Sequence, residues 1–232
     1  MSHNPDLPGL APGENDGPKE TARRRRTRER LMDAAYELFA ENGVHATSIE
    51  AIAEAAGFTR GAFYSNFESK SELFFALANR EWDTRLEKLR EVMDENLQPG
   101  GGRAALNWDF ISEVINEVFA ALPSDRKWGL IYREFELLAL RDPEVASGFL
   151  ANYHSFRTAL AELLQHSAAK MGLRFTLDAK DVTGLVMLQY ESAMLQAMLS
   201  GDLDEEQVFN VEILRIMPEL LQRLIEEIPP SE

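Results

Sequence analysis

The run from Gly57 to Lys70, Gly-Phe-Thr-Arg-Gly-Ala-Phe-Tyr-Ser-Asn-Phe-Glu-Ser-Lys, limits the possible folds of this chain more than any other stretch. It fits a turn, a very short helix and the start of another helix into a single segment. Gly57 supplies a backbone conformation that other residues adopt at a cost, so the chain can reverse sharply there. Thr59 can cap a helix with room for only about two turns before Asn66. Ser69-Lys70-Ser71-Glu72 has capping-box spacing and opens a long helix. Upstream, Leu31, Ala34, Ala35, Leu38 and Phe39 recur at helical spacing between Arg30 and Ala40, and Gly43 is placed to end that helix. Thr47-Ser48-Ile49-Glu50 reads as another capping box, with Ile49, Ile52, Ala53 and Ala56 forming an apolar stripe behind it. Helix, helix, glycine turn and short helix is the layout of a helix-turn-helix, whose second member enters the major groove of DNA.

The span Leu31 to Leu77 resembles the DNA-binding domain of the tetracycline-repressor (TetR) family of bacterial transcription regulators. The resemblance rests on Ala34-Ala35, Leu38-Phe39, Gly43, Thr47, Ile52-Ala53, Ala56-Gly57, Gly61, Phe63-Tyr64, Phe67, Ser69-Lys70 and Leu73, about a fifth of the 232 residues. It implies an all-α protein in which a three-helix helix-turn-helix domain joins, through a long helix, a helical ligand-binding and dimerisation domain. The expected boundaries are a disordered, basic-ended arm at 1–22, the DNA-binding domain at 23–70 and the effector and dimerisation domain at 71–228. The expected DNA-contacting residues are Arg25, Arg26, Thr47, Ser48, Thr59, Arg60, Gly61, Ala62, Tyr64, Ser65, Asn66 and Lys70. Arg60 can reach a base edge or a phosphate, and Gly61 lets the helix backbone approach closely. Tyr64 is similar to the family's phosphate-contacting tyrosine. Lys70 lies in the first turn of a helix, where free amides already favour an anion. Phe63 and Phe67 read equally well as core. Ala62 and Phe58 depart from the family pattern, which leaves the base sequence unread.

On net charge alone an acidic chain is a poor partner for DNA, and this one has formal net charge −15. Yet residues 1–80 carry 10 Lys and Arg against 12 Asp and Glu, so the deficit belongs almost wholly to the remainder. Arg23, Arg24, Arg25, Arg26, Arg28 and Arg30 concentrate positive charge near the first helix. Screening over about 8 Å isolates that cluster from distant acidic groups. It reads either as an arm that follows the DNA backbone or as a solvated helix start.

Residues beyond 80 read as helices, without an alternating strand pattern or internal repeat. Leu106, Phe110, Val114, Val118 and Leu122 line one side of a fifth helix, and Ile111, Ile115 and Phe119 another. Asp142-Pro143, Asp178 and Asp204 are placed as caps, Gly201 closes the eighth helix, and Pro218 is expected to kink or split the ninth. The last two helices are rich in apolar residues at Leu185, Leu188, Leu195, Leu199, Val208, Val211, Leu221 and Leu224. The resemblance implies that they pair with a second copy, and core packing is the alternative. Trp108, Trp128, Tyr132, Phe135, Glu136, Tyr153, Phe156, Met187, Tyr190, Glu191 and Met194 form the expected effector lining, with core the competing role for each aromatic or methionine.

The resemblance implies a cytoplasmic, nucleoid-associated homodimer on a palindromic operator, released by a small, largely apolar effector. A dimer controlled by a protein partner is the alternative. No cofactor or metal is expected. Zero cysteines exclude thiolate sites, and His3, His45, His154 and His166 lack metal-ligand spacing. No nucleophile elbow or phosphate-binding glycine pattern supports an enzyme, and no segment has the run expected of a signal or membrane helix.

Overall fold

The computed structural model describes residues 22–96, 108–121, 126–200 and 205–228, with backbone alone at 96, 108–111, 120, 121 and 205–208. In chain order the elements are α1 (Ala22–Asn42), α2 (Ile49–Ala55), α3 (Arg60–Tyr64), α4 (Lys70–Asn96), α5 (Trp108–Ala121), α6 (Arg126–Ala139), α7 (Pro143–Lys170), β1 (Leu173–Phe175), α8 (Ala179–Leu199), α9 (Glu205–Leu224) and β2 (Ile225–Glu227). The all-α architecture holds, with one unanticipated addition. β1 and β2 form an antiparallel pair in register Leu173↔Glu227 and Phe175↔Ile225. Strands of three residues are too short to show an alternating pattern in sequence.

Of the two readings of the arginine cluster, the helix start holds, since the arginines form the first turns of α1, which begins at Ala22. Pro218 lies inside α9 and does not split it. Asp142 and Asp178 cap α7 and α8, each accepting a backbone N–H from the second residue beyond it. Gly201, Asp204, Leu106 and Leu122 lie outside the described residues, as do the side chains of Trp108, Phe110, Ile111 and Val208.

Leu31, Phe39, Ile52, Phe63, Phe67, Leu73, Phe74 and Leu77 are all almost completely buried between α1, α2, α3 and the start of α4. This core continues into α6, where Trp128, Ile131 and Phe135 join it. Phe74 and Phe135 stack with ring centroids 3.4 Å apart. Behind this junction α4 and α7 run parallel with a nearly constant offset. Asn79 faces Asn152, Trp82 faces Phe156, Met93 faces Ser167 and Asp94 faces Lys170. A fixed offset over so many turns means the two helices lie side by side. α5, α8 and α9 close around that seam.

Candidate nucleic-acid interface and effector cavity

The turn from α2 to α3 is made by Gly57 at φ +73°, with Phe58 N–H donating to Ala53 O. Thr59 caps α3 by accepting from Ala62 N–H. Phe63 is turned inward onto Phe67, leaving the opposite face of α3 in solvent. Tyr64 is 46% exposed, a large area for an aromatic ring on so small a domain. Arg60 lies over it, 5.4 Å from the ring centroid, and is held from α2 by Glu50 at 2.9 Å. A Cβ added to Gly61 would meet only Thr59 Oγ1 at 3.8 Å, an ordinary contact. Packing within the chain therefore does not require glycine there.

Ser48, not Thr47, caps α2, accepting from Ala51 N–H. The expected Thr47–Glu50 box thus gives way to a simple cap one residue later, with no reciprocal carboxylate at Ala51. Thr47 is 3% exposed, and its hydroxyl donates to Gly43 O and Leu38 O, so it ties the α1–α2 turn together. Lys70 is similarly committed, donating to Val44 O at 2.9 Å and Thr47 O at 2.8 Å. Burial pushes its pKa down. Asn66 is buried at the end of α3, where its amide donates to Ala62 O. Ser65 also donates to that oxygen. Thr47, Lys70 and Asn66 thus hold the reading head in place, whereas Ser48, Thr59, Arg60, Gly61, Ser65 and Tyr64 lie on exposed surface and Ala62 is half-buried. Arg25 and Arg26 are exposed on α1, but Arg23 and Arg24 border the groove between α1 and α3, with Thr27 and Phe58.

Sequence reasoning missed four anchors, because each acts between two different elements and none within a single helix. Arg28 sits over the Phe67 ring and donates to Asn66 O. Arg30 packs over Phe58. Glu50 fixes Arg60. Glu134, on α6, accepts from Val44 N–H and lies against Gly43, whose φ of +81° makes the turn. The peptide groups of Val44 are therefore held by α6 on one side and α4 on the other.

A cavity of about 110 Å³ lies in the α4–α7 seam. Its walls are Leu89 and Met93 of α4, Val114, Ile115, Val118 and Phe119 of α5, Leu160, Leu164, Ser167 and Ala168 of α7, with Met171, Phe175, Val186, Leu221 and Ile225. Ser167 is the one hydroxyl in this lining, and it already donates to Met93 sulfur at 3.1 Å. The wall can therefore recognise hydrocarbon but offers no free polar group.

Among the expected effector-lining residues whose side chains are described, none lines that wall, and their packing gives the physical cause. Trp128 and Phe135 are consumed by the amino-terminal core. Met194 packs toward α9, and Tyr190 sets its ring edge-on to Phe209. Phe156, Tyr153 and Met187 pack beside the cavity without lining it. Tyr132, Glu136, Tyr153 and Glu191 instead gather around Arg133, which pairs with Glu136 at 2.7 Å and Glu191 at 3.8 Å. Burial raises the pKa of Glu191 against the opposing pull of Arg133, and burial then Glu191 raise Tyr132 and Tyr153.

On α8, Leu185, Leu188, Leu195 and Leu199 form an exposed stripe at near-heptad spacing, with Leu188 62% and Leu199 75% exposed. Val211 of α9 is also exposed. Leu221 and Leu224 are half-buried against the inner cluster, and Leu221 also walls the cavity.

Residues 31–77 match the family described as bacterial regulatory proteins, tetR family. A probable acrEF/envCD operon repressor of Escherichia coli K12 is 41% identical over 75 residues, 32% of each chain. The chain thus spans about a third of that relative's length. The fatty acid metabolism regulator protein of Bacillus subtilis is 26% identical over 162 residues, 67% of this chain and 77% of that one. Among solved structures, the transcriptional regulator FadR from Bacillus subtilis in complex with stearoyl-CoA superposes with TM-score 0.55 at 19% identity, covering 80% of this chain and 97% of the other. The chain shares the fold of this solved structure, and its residues 31–77 match the tetR family of bacterial regulatory proteins.

Proposed function

We propose that the protein is a homodimeric transcriptional repressor that binds a palindromic operator and leaves it when a small apolar effector fills the α4–α7 cavity. The observation that carries this is the exposed face of α3. Arg60, Gly61 and Tyr64 stand in solvent while Phe63 and Phe67 behind them are buried and Thr47, Lys70 and Asn66 are tied to backbone oxygens. A glycine that internal packing does not need, next to an aromatic ring left in water, suits a surface completed by an external partner. The basic first turns of α1 beside that face suit a polyanion. The leucine stripe on α8 supports pairing with a second copy, which would present two such heads to half-sites one helical turn apart. Thr47, Lys70 and Asn66 serve this reading as supports of the head.

The cavity supports an effector of aliphatic character. Similarity to a regulator crystallised with stearoyl-CoA favours the same class. Its walls include Leu89 and Met93 of the helix whose first residue, Lys70, holds the α1–α2 turn, so a filled cavity and the DNA-facing head share one rigid element. A coupling of about 1–3 kcal/mol would lower operator affinity about 5–150-fold. Cavity occupancy and a conformational step in α4 suffice for release, without a protein partner.

The test is selection of duplex sequences in low salt with the full chain, followed by sedimentation of the protein alone and on the selected duplex. The expected result is a palindromic consensus bound by two chains, with affinity falling as salt rises. A monomer that enriches no palindrome overturns the reading.

A further inference from the structure

We propose that Trp82 and Arg85 form the polar end of the effector site, and that the effector is an aliphatic chain carrying one uncharged hydrogen-bond acceptor, such as an ester or thioester carbonyl. This rests on the cavity being the effector site, and it adds what the cavity walls cannot supply.

Arg85, Leu89 and Met93 lie one turn apart on the same face of α4, so Arg85 stands one turn beyond the cavity wall, with its guanidinium directed at Trp82 and Trp128. The opposite side of the seam continues in step, with Phe156 one turn before Leu160 on α7. Arg85 is 4% exposed. One terminal nitrogen donates to Glu81 O and to the Glu81 carboxylate, each at 3.0 Å, and the guanidinium lies 5.6 Å and 5.4 Å from the rings of Trp82 and Trp128. Its Nε is buried and finds no acceptor among the described residues. Trp82 Nε1, one turn away on the same helix, is buried in the same state. Two orphaned donors side by side are unfavourable unless an acceptor reaches them. The Trp82 ring is fixed by stacking on Phe156 at 4.2 Å and by edge contacts with Trp128 and Tyr132, so the indole N–H cannot swing out to water.

The charge balance selects a neutral acceptor. Glu81 pairs with Arg85 and with Arg80, and Arg80 is also held by Glu29 and Asp33, so these cations are already matched by carboxylates and an arriving carboxylate would add an unbalanced buried anion. Glu191 and Glu136, which perturb the neighbouring Tyr132, add to that penalty. One turn of helix is about 6 Å, so a chain of several carbons can lie in the cavity with its carbonyl at the donors.

The experiment is displacement of the neutral dye N-phenyl-1-naphthylamine from the full chain by methyl octanoate, octanoate and nonane. The ester is expected to compete about tenfold better than either other probe, the effect of one well-made hydrogen bond. Trp82→Phe keeps the stacked ring and removes only the N–H. It should cut the preference for ester over nonane to about two- to threefold, leaving nonane unchanged. Arg85→Lys, which keeps the charge and removes Nε, should act in the same direction. Equal competition by ester and nonane, a preference for octanoate, or an undiminished ester preference in both variants overturns the assignment while leaving the cavity as the effector site. If Leu160→Trp leaves competition by all three probes intact, the cavity itself is not the site, and the effector reading falls with the head-group assignment.

Discussion

The reading head and the body behind it differ in how completely they are packed. In the head, eight large apolar side chains are almost completely buried, Phe74 lies flat on Phe135, and the α1–α2 turn is tied at Thr47, Lys70 and Glu134. The body keeps an unfilled apolar cavity, a half-buried cluster of like-charged carboxylates and a row of leucines in solvent. The head, whose exposed α3 face is the candidate DNA surface, is thus held on a rigid base, whereas the body around the cavity retains loose packing. Close-packed cores move as blocks, so looseness has to be provided where adjustment is needed.

Matched truncations give the largest separation of the two regions. Phe74→Ala should cost about 3–5 kcal/mol, because the stacked ring has neighbours on every side. Leu160→Ala should stay near about 2 kcal/mol, since a residue facing a void has fewer contacts to lose. Urea unfolding of both variants measures the contrast, and equal costs would mean the cavity is filled by rearranged neighbours.

Lys70→Met comes next. Losing two bonds from a partly buried ammonium should destabilise the protein by about 1–2 kcal/mol. Operator affinity should fall more than about tenfold, as the tie on the α1–α2 turn is released. Dye affinity at the cavity should not change. If both affinities fall together in a folded variant, the head and the body are not separable.

Glu191→Gln should have the smallest effect, under about 1 kcal/mol. Burial holds the folded pKa of Glu191 above its unfolded value. Between those values the folded chain binds more protons than the unfolded one, so this group lowers stability as pH rises through that window. Glutamine should remove that slope and leave the variant slightly more stable at neutral pH. A thermal melt series from the ordinary glutamate range upward reads the difference, and an unchanged slope would place the cause elsewhere.

The head was largely legible in the sequence because its signals are local. Gly57, Thr59 and the Phe63–Tyr64 pair declare turn, cap and the two faces of α3 within a few residues. Even there, Ser48 and Thr47 exchanged roles, since two adjacent hydroxyls satisfy nearly the same capping pattern. The cavity was not legible. Leu89, Val118 and Leu160 follow the same periodicity as any buried helix face, and only the meeting of five helices leaves the space between them. Aromatic residues such as Phe135 suggested a pocket, but stacking on Phe74 across sixty residues of chain decides their place. The leucine stripe on α8 was readable from its spacing, whereas Leu221 and Leu224 depend on how α9 is rotated, which periodicity leaves open.

The short β1–β2 ladder bears on how the protein can be handled. Phe175 and Ile225, opposite one another in the ladder, are both part of the cavity wall, and Arg174 closes the outer side against Glu226 at 2.7 Å. A chain cut after Leu224 would keep every helix and still breach the chamber, and a bulky tag fused near that strand would compete with its docking.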